Sequence, residues 1–196
     1  IFISTTAQAY TLNNNFGATF KSRKVKVYVT STTTCANAGL TPYELSDLVT
    51  PAIKNFWNTV PTSSLELVNG GILDVGSDTS YNSNLLCSFT DPTCTGSVIP
   101  AVKDIIIACN DNTTNFDSSN ILAVTIPNNF KGRFINGSVI LINDRNNSAF
   151  ARLDQKKKIS VIAHEIGHAI GLGHSGDKAA LMFFETIGTR NYLGQD

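Results

Sequence analysis

His164-Glu165-Ile166-Gly167-His168-Ala169-Ile170-Gly171-Leu172-Gly173-His174-Ser175 contains every histidine of a 196-residue chain. Residues four apart lie one turn apart on the same helix face, so His164 and His168 can ligate one ion. Glu165 follows the first histidine but is rotated away from it. It can lean toward a water on the metal without taking a coordination site. Gly171 supplies a helix break, because glycine tolerates positive φ at a helix C-terminus. His174 comes three residues later and can complete the set. Three neutral imidazoles leave a fourth position open, as hydrolytic rather than structural zinc sites do.

The chemistry implied is hydrolysis. Zinc lowers the pKa of a bound water toward about 7 and polarises a carbonyl beside it. Glu165 then takes the water proton and can return it to a leaving amine. No Gly-x-Ser-x-Gly elbow suggests a serine route.

Outside this run, periodicity sketches a mixed domain. From about Asp154 to Ile170 the apolar residues recur helically. Ile159, Ile162, Ile166, Ala169 and Ile170 share one side, and the histidines face the other. Lys24 to Thr30 alternates as a half-buried strand. Thr41-Pro42 with Glu44 predicts a capped helix start, and Leu45, Leu48, Val49, Ala52, Ile53, Phe56 and Trp57 continue it. Pro51 should kink or delay that helix. Leu65–Val68 and Gly71–Val75 read as one strand or as two split at Gly70-Gly71. Residues 76–100 read as a polar, cysteine-bearing loop. Asp104–Cys109 reads as a buried strand by its β-branched content. Residues 110–120 read as an oxygen-rich loop, Ile121–Ile126 as a strand stopped by Pro127, and Val139–Ile142 as a further strand.

Composition excludes several classes. Charged residues are 15% of the chain and balance to a net charge of zero, which argues against nucleic-acid or membrane-surface partners. No apolar run is long enough to span a bilayer. Cys35, Cys87, Cys94 and Cys109 include no C-x-x-C pair, so two disulfides and an oxidising, secreted or periplasmic location are expected. Of three connectivities we favour Cys87–Cys94, around Asp91-Pro92, with Cys35–Cys109. Four free thiols are the alternative. Ile1-Phe2-Ile3 with Ala7-Gln8-Ala9 reads as a signal-peptide tail or a short strand. Asn112, Asn136 and Asn146 open N-x-S/T sequons.

The histidine run resembles the long zinc motif of the metzincin metallopeptidases, H-E-x-x-H-x-x-G-x-x-H followed by a Met-turn. Met182, the only methionine, lies in Ala180-Leu181-Met182-Phe183, which resembles the Ala-Leu-Met segment of the matrixin (matrix metalloproteinase) branch. Ser175 after the third histidine is also matrixin-like. Phe184 stands where other branches place a tyrosine ligand. Ala52-Ile53 with Phe56-Trp57 resembles the backing helix, and the stretches at residues 104–107, 116–117, 122–123 and 127 resemble the third strand, connecting loop and edge strand.

The resemblance implies an α+β, zincin-like domain: a twisted, mostly parallel five-stranded sheet, a backing helix and an active-site helix. Residues 24–196 would form it, after an N-terminal extension at 1–23. It implies a zinc endopeptidase, with His164, His168 and His174 on one catalytic zinc, Glu165 as base and Met182 as an apolar floor. It also implies that an extended polypeptide pairs with the edge strand near Leu122, Ala123 and Val124. Phe183, Phe184 and the residues to Thr189 would line the pocket beyond the scissile bond. A monomer is expected. A zinc amidase acting on a non-protein or cell-wall peptide, and a non-catalytic peptide-binding module, are the rival readings.

Departures from the family pattern matter too. No histidine remains for a second, structural zinc. Asp111, Asp117, Asn143 and Asp144 are oxygen donors of the type calcium takes, or ordinary loop residues. Leu193-Gly194-Gln195-Asp196 resembles the lead-in to a closing helix that the sequence does not reach.

Overall fold

The computed structural model describes residues 18–87 and 93–184. Its elements in chain order are β1 (Thr19–Phe20), β2 (Lys24–Thr30), α1 (Pro42–Ala52), a π-helical turn (Ile53–Trp57) and β3 (Glu66–Leu73). Then come α2 (Ser80–Ser83), β4 (Leu86–Cys87), β5 (Ser97–Val98), β6 (Asp104–Asn110), β7 (Ala123–Lys131), β8 (Phe134–Asn143), a 3-10 turn (Phe150–Arg152) and α3 (Gln155–Ala169).

The main sheet runs β3-β2-β6-β8-β7. The first four strands are parallel, and β7 closes the edge antiparallel to β8. These are the five strands expected. The two-residue β1 adds a sixth, parallel to the start of β8. Ile135 pairs with Phe20 of β1 and Phe130 of β7, so β1 occupies the β6 side of β8 before β6 begins.

Alternation along the strands divides the interior in two. Val25, Val27, Val29, Ile105, Ile107, Ile140 and Ile142 face α1 and α3. Ile106, Ala108, Val139 and Leu141 face the opposite way, against Tyr81, Leu86, Ile99 and Val102 of the segment joining β3 to β6. That segment was expected to be a polar loop. It is a second core layer, because β6 and β8 are apolar on both faces and both must be covered.

Helix α1 starts as its sequence predicts. Thr41 Oγ1 accepts the Glu44 N–H at 3.2 Å, and the Glu44 carboxylate accepts the Thr41 N–H at 2.8 Å, a complete capping box. Pro51 stays inside α1, and the regular helix ends one residue later in the π-helical turn. This turn aims Trp57 into the core, where its indole N–H donates to the Ala163 carbonyl of α3 at 2.9 Å. The backing helix is thereby fixed to the helix that carries the histidines.

Two expected strand ends are corrected. β7 does not stop at Pro127 but continues to Lys131. Proline is compatible with an edge strand, and the pairing with β8 shifts register just after it. β8 begins at Phe134 rather than Val139 and runs through Gly137. A Cβ at Gly137 would lie on the Val102 carbonyl oxygen, so only glycine lets the β5–β6 connection cross the strand so closely. β3 is continuous, with the extra residue of a bulge at Gly70.

Both favoured disulfides are present. Cys35–Cys109 ties the loop after β2 to β6, and Cys87–Cys94 closes a local loop before β5.

Asparagine amides hold the loops beyond the C-terminal ends of β6 and β8. Asn110 is fully buried. Its NH2 group donates to the Tyr81 and Asn84 carbonyls at 2.7 and 3.1 Å, and its oxygen accepts from Asn112 N and Asn115 Nδ2. Asn143 donates to the Ile121 carbonyl at 2.7 Å and the Ser118 carbonyl at 3.3 Å. Arg145 reaches the Phe116 carbonyl at 2.9 Å. The Asp144 carboxylate accepts the backbone N–H groups of Asn37 and Ala38. Two of the four residues considered for calcium are therefore already used as staples.

Candidate metal centre

Helix α3 is capped by Asp154, whose carboxylate accepts the Lys157 N–H at 2.9 Å. Ile162, Ile166 and Ala169 are fully buried against the sheet. The histidine side faces a cleft rather than open solvent, walled by β7 and by the residues after the helix. Thus Glu165 and His168 are also buried, His164 is half-buried and His174 is exposed.

The helix ends at Ile170. Gly171 follows at φ +111°, where a Cβ would meet the Ala18 carbonyl oxygen. The chain reverses there and brings His174 back over the helix. Ser175 anchors the return: its N–H donates to the Met182 carbonyl at 2.8 Å, and its hydroxyl accepts the Asp177 N–H at 3.0 Å. Met182 is buried beneath α3, within reach of Gly167 and Trp57.

The ring nitrogens of His164, His168 and His174 lie within 4.8 Å of one another, and among the described residues they are the one such cluster. Backbone carbonyls fix two of the rings. His164 Nδ1 sits 2.7 Å from the Leu181 carbonyl oxygen, and His168 Nδ1 sits 2.8 Å from that of Leu172. A carbonyl only accepts, so each Nδ1 carries the proton and each Nε2 presents a lone pair. Those two Nε2 atoms are 3.0 Å apart. Two lone pairs facing at that distance repel unless a cation lies between them. Tetrahedral zinc, at about 2.0–2.1 Å from each nitrogen, sets its donors roughly 3.3 Å apart. The donor set therefore fits zinc, and the carbonyl partners orient it as ligand-supporting groups usually do. Burial also pushes the His168 and His174 imidazoles below their usual range, toward the neutral form that ligates.

Glu165 occupies the floor of the cleft. Burial pushes its carboxyl above the usual range, while His168 and a hydrogen bond from Thr125 draw it back. The Thr125 hydroxyl lies 2.6 Å from Glu165 Oε2.

The cleft has a volume of about 810 Å³, and Leu122, Ala123, Val124, Thr125, His164, Glu165, His168, His174 and Phe184 contribute to its wall. Phe183 is buried, with its ring centroid 4.5 Å from that of the exposed Phe184. Residues 185–189, the rest of the expected pocket wall, lie outside the described residues.

Sequence reasoning missed three contributors. The Leu181 and Leu172 carbonyls act through backbone, which no residue type reveals. Thr125 fell inside the expected substrate strand, but nothing in its neighbourhood signals a partner forty residues away.

A mostly parallel sheet with one antiparallel edge, lying over a helix that presents a three-histidine cluster, is the architecture of a zincin-like α+β domain. Within it, residues 104–193 match the family model of the matrixins, peptidase family M10. Over these residues the chain resembles the matrixins, a family of zinc-dependent metallopeptidases. No curated protein matches the chain.

Proposed function

We propose that this protein is a zinc endopeptidase that cleaves extended polypeptide. The observation that carries the proposal is the convergence of three imidazoles, two with lone pairs fixed inward, beside a buried carboxylate on a cleft bounded by an antiparallel edge strand.

His164, His168 and His174 would hold the ion. When bound, zinc supplies a polarised, readily deprotonated water and a Lewis acid for the scissile carbonyl. Glu165 would accept that water's proton at its carboxylate and pass it to the leaving amine. The buried setting keeps bulk water from competing for this carboxylate. β7 pairs only with β8 among the described residues, so its other edge offers backbone donors and acceptors for a peptide strand. Leu122, Ala123 and Val124 lie along it, and Phe184 stands across the cleft. That apolar wall favours a hydrophobic side chain after the scissile bond.

The catalytic unit we infer spans residues 24–196, with β1 of the preceding extension added to its sheet. Two disulfides support a working location outside a reducing compartment.

The test is peptide-library digestion with zinc analysis. Wild type should cleave internal peptide bonds and bind one zinc, and chelation should stop cleavage. Glu165→Ala should keep the zinc and lose hydrolysis by about three orders of magnitude or more. Cleavage that persists in Glu165→Ala would refute the role given to Glu165. Activity confined to non-peptide amides would favour a zinc amidase.

A further inference from the structure

Among the polar contacts at the cleft, one part-buried contact joins two elements that the proposed chemistry uses separately. The Thr125 hydroxyl of β7 lies 2.6 Å from Glu165 Oε2 and 3.2 Å from the Glu165 backbone carbonyl. The hydroxyl has one proton to donate, and the shorter contact assigns it to the carboxylate. Thr125 itself is held by the β7–β8 ladder, opposite Ile140. Its β-branched side chain has few rotamers, which makes it a stiff support.

We propose that Thr125 is the positioning residue for Glu165. Its hydroxyl fixes the carboxylate's orientation beside the histidine cluster, so the strand that receives peptide also aims the base. The proposal rests on the reading of Glu165 as general base. A glutamate side chain turns about three bonds. On the cleft side this hydroxyl ties down its carboxylate. Displacing a catalytic group by about 1 Å costs on the order of 100-fold in rate. A loosened carboxylate lies between that limit and no effect.

Thr125→Val keeps the shape and removes the hydroxyl, whereas Thr125→Ser keeps the hydroxyl. With peptide substrate, Thr125→Val should lose about 10- to 100-fold in kcat, with KM within about threefold and one zinc still bound. Thr125→Ser should recover most of the rate. Unchanged kcat in Thr125→Val, equal impairment of both variants, or a loss carried by KM or zinc content overturns the proposal.

A second measurement needs no activity. In metal-free protein, Thr125→Val should lower the urea midpoint in the native background and lower it less when Glu165 is already alanine. Equal shifts in the two backgrounds would mean the hydroxyl does not bond the carboxylate, and the proposal falls. If wild type cleaves no peptide, the proposed function fails and the positioning role with it, while the urea cycle still shows whether the Thr125–Glu165 bond exists.

Discussion

Gly167 sits in the middle of α3, where glycine is a poor helix residue. Alanine there should gain about 1 kcal/mol of helix propensity. The surroundings reverse that expectation. A Cβ at Gly167 would lie 2.4 Å from Met182 Sδ, 2.9 Å from Met182 Cε and 2.8 Å from Trp57 Cζ2. Trp57 cannot swing aside without breaking its buried bond to the Ala163 carbonyl. Met182 is flexible in kind but only 1% exposed, so it has no free space to enter. Overpacking of a tight core costs about 1–3 kcal/mol. Three atoms far inside contact distance put this case at the upper end. Subtracting the propensity gain leaves a loss of about 1–2 kcal/mol. For a domain of this size that is roughly 2–8 °C in Tm. Thermal unfolding of metal-free Gly167→Ala against wild type measures it. In a Met182→Ala background the same glycine change should cost less than in wild type, because two of the three close contacts are gone. If Gly167→Ala is as stable as wild type or more so, propensity has won. The close seating of α3 on the methionine and tryptophan would then be refuted.

Three further outcomes follow from other parts of the fold. The Cys35–Cys109 bridge spans 74 residues and Cys87–Cys94 spans 7, so loop-closure entropy assigns them about 4.5 and about 2.5 kcal/mol. Urea unfolding of the paired serine variants should rank them in that order. Backbone bonding to Thr41 first, and then its hydroxyl, holds the Glu44 carboxyl below its ordinary 4.5. The stability it contributes is therefore complete above pH 4.5 and lost as pH falls through the depressed value. Tm measured against pH should show a component that Glu44→Gln removes. Asn110→Asp keeps the shape but turns an NH2 group that serves two carbonyls into acceptors, in a fully buried position. It should cost about 3 kcal/mol or more by urea unfolding, and a near-neutral result would sink the amide-staple account.

The histidine cluster was legible because its signal is local. His164, Glu165 and His168 sit within five consecutive residues, and helix geometry alone puts both histidines on one face. The capping box at Thr41–Glu44 was legible for the same reason. What escaped is non-local. Nothing around Pro127 tells a strand terminus from an edge strand that carries proline through. The start of β8 was placed at Val139, because the Val102 carbonyl that requires glycine at 137 is distant in sequence. Leu86 and Ile99 lie in a stretch whose polar majority reads as loop, and Val102 follows it, so their burial did not show. That burial depended on β6 and β8 being apolar on both faces. The pairing of Thr125 with Glu165 needs the whole sheet in place before it exists.

The asparagine staples carry a consequence for the working life of the protein. An amide that holds two carbonyls neither titrates in the ordinary range nor exchanges with its surroundings, unlike a bound ion. The wall beyond β6 and β8 thus has no dependence on the supply of anything through Asn110 and Asn143. What such a wall has instead is an age. Asparagine is thermolabile, and its loss to aspartate is one-way. While folded, Asn110 is sealed from water; each opening event exposes it to hydrolysis that refolding does not repair. Stored warm, this protein should fail by slow chemical wear at its amides, a clock that starting with more metal does not reset.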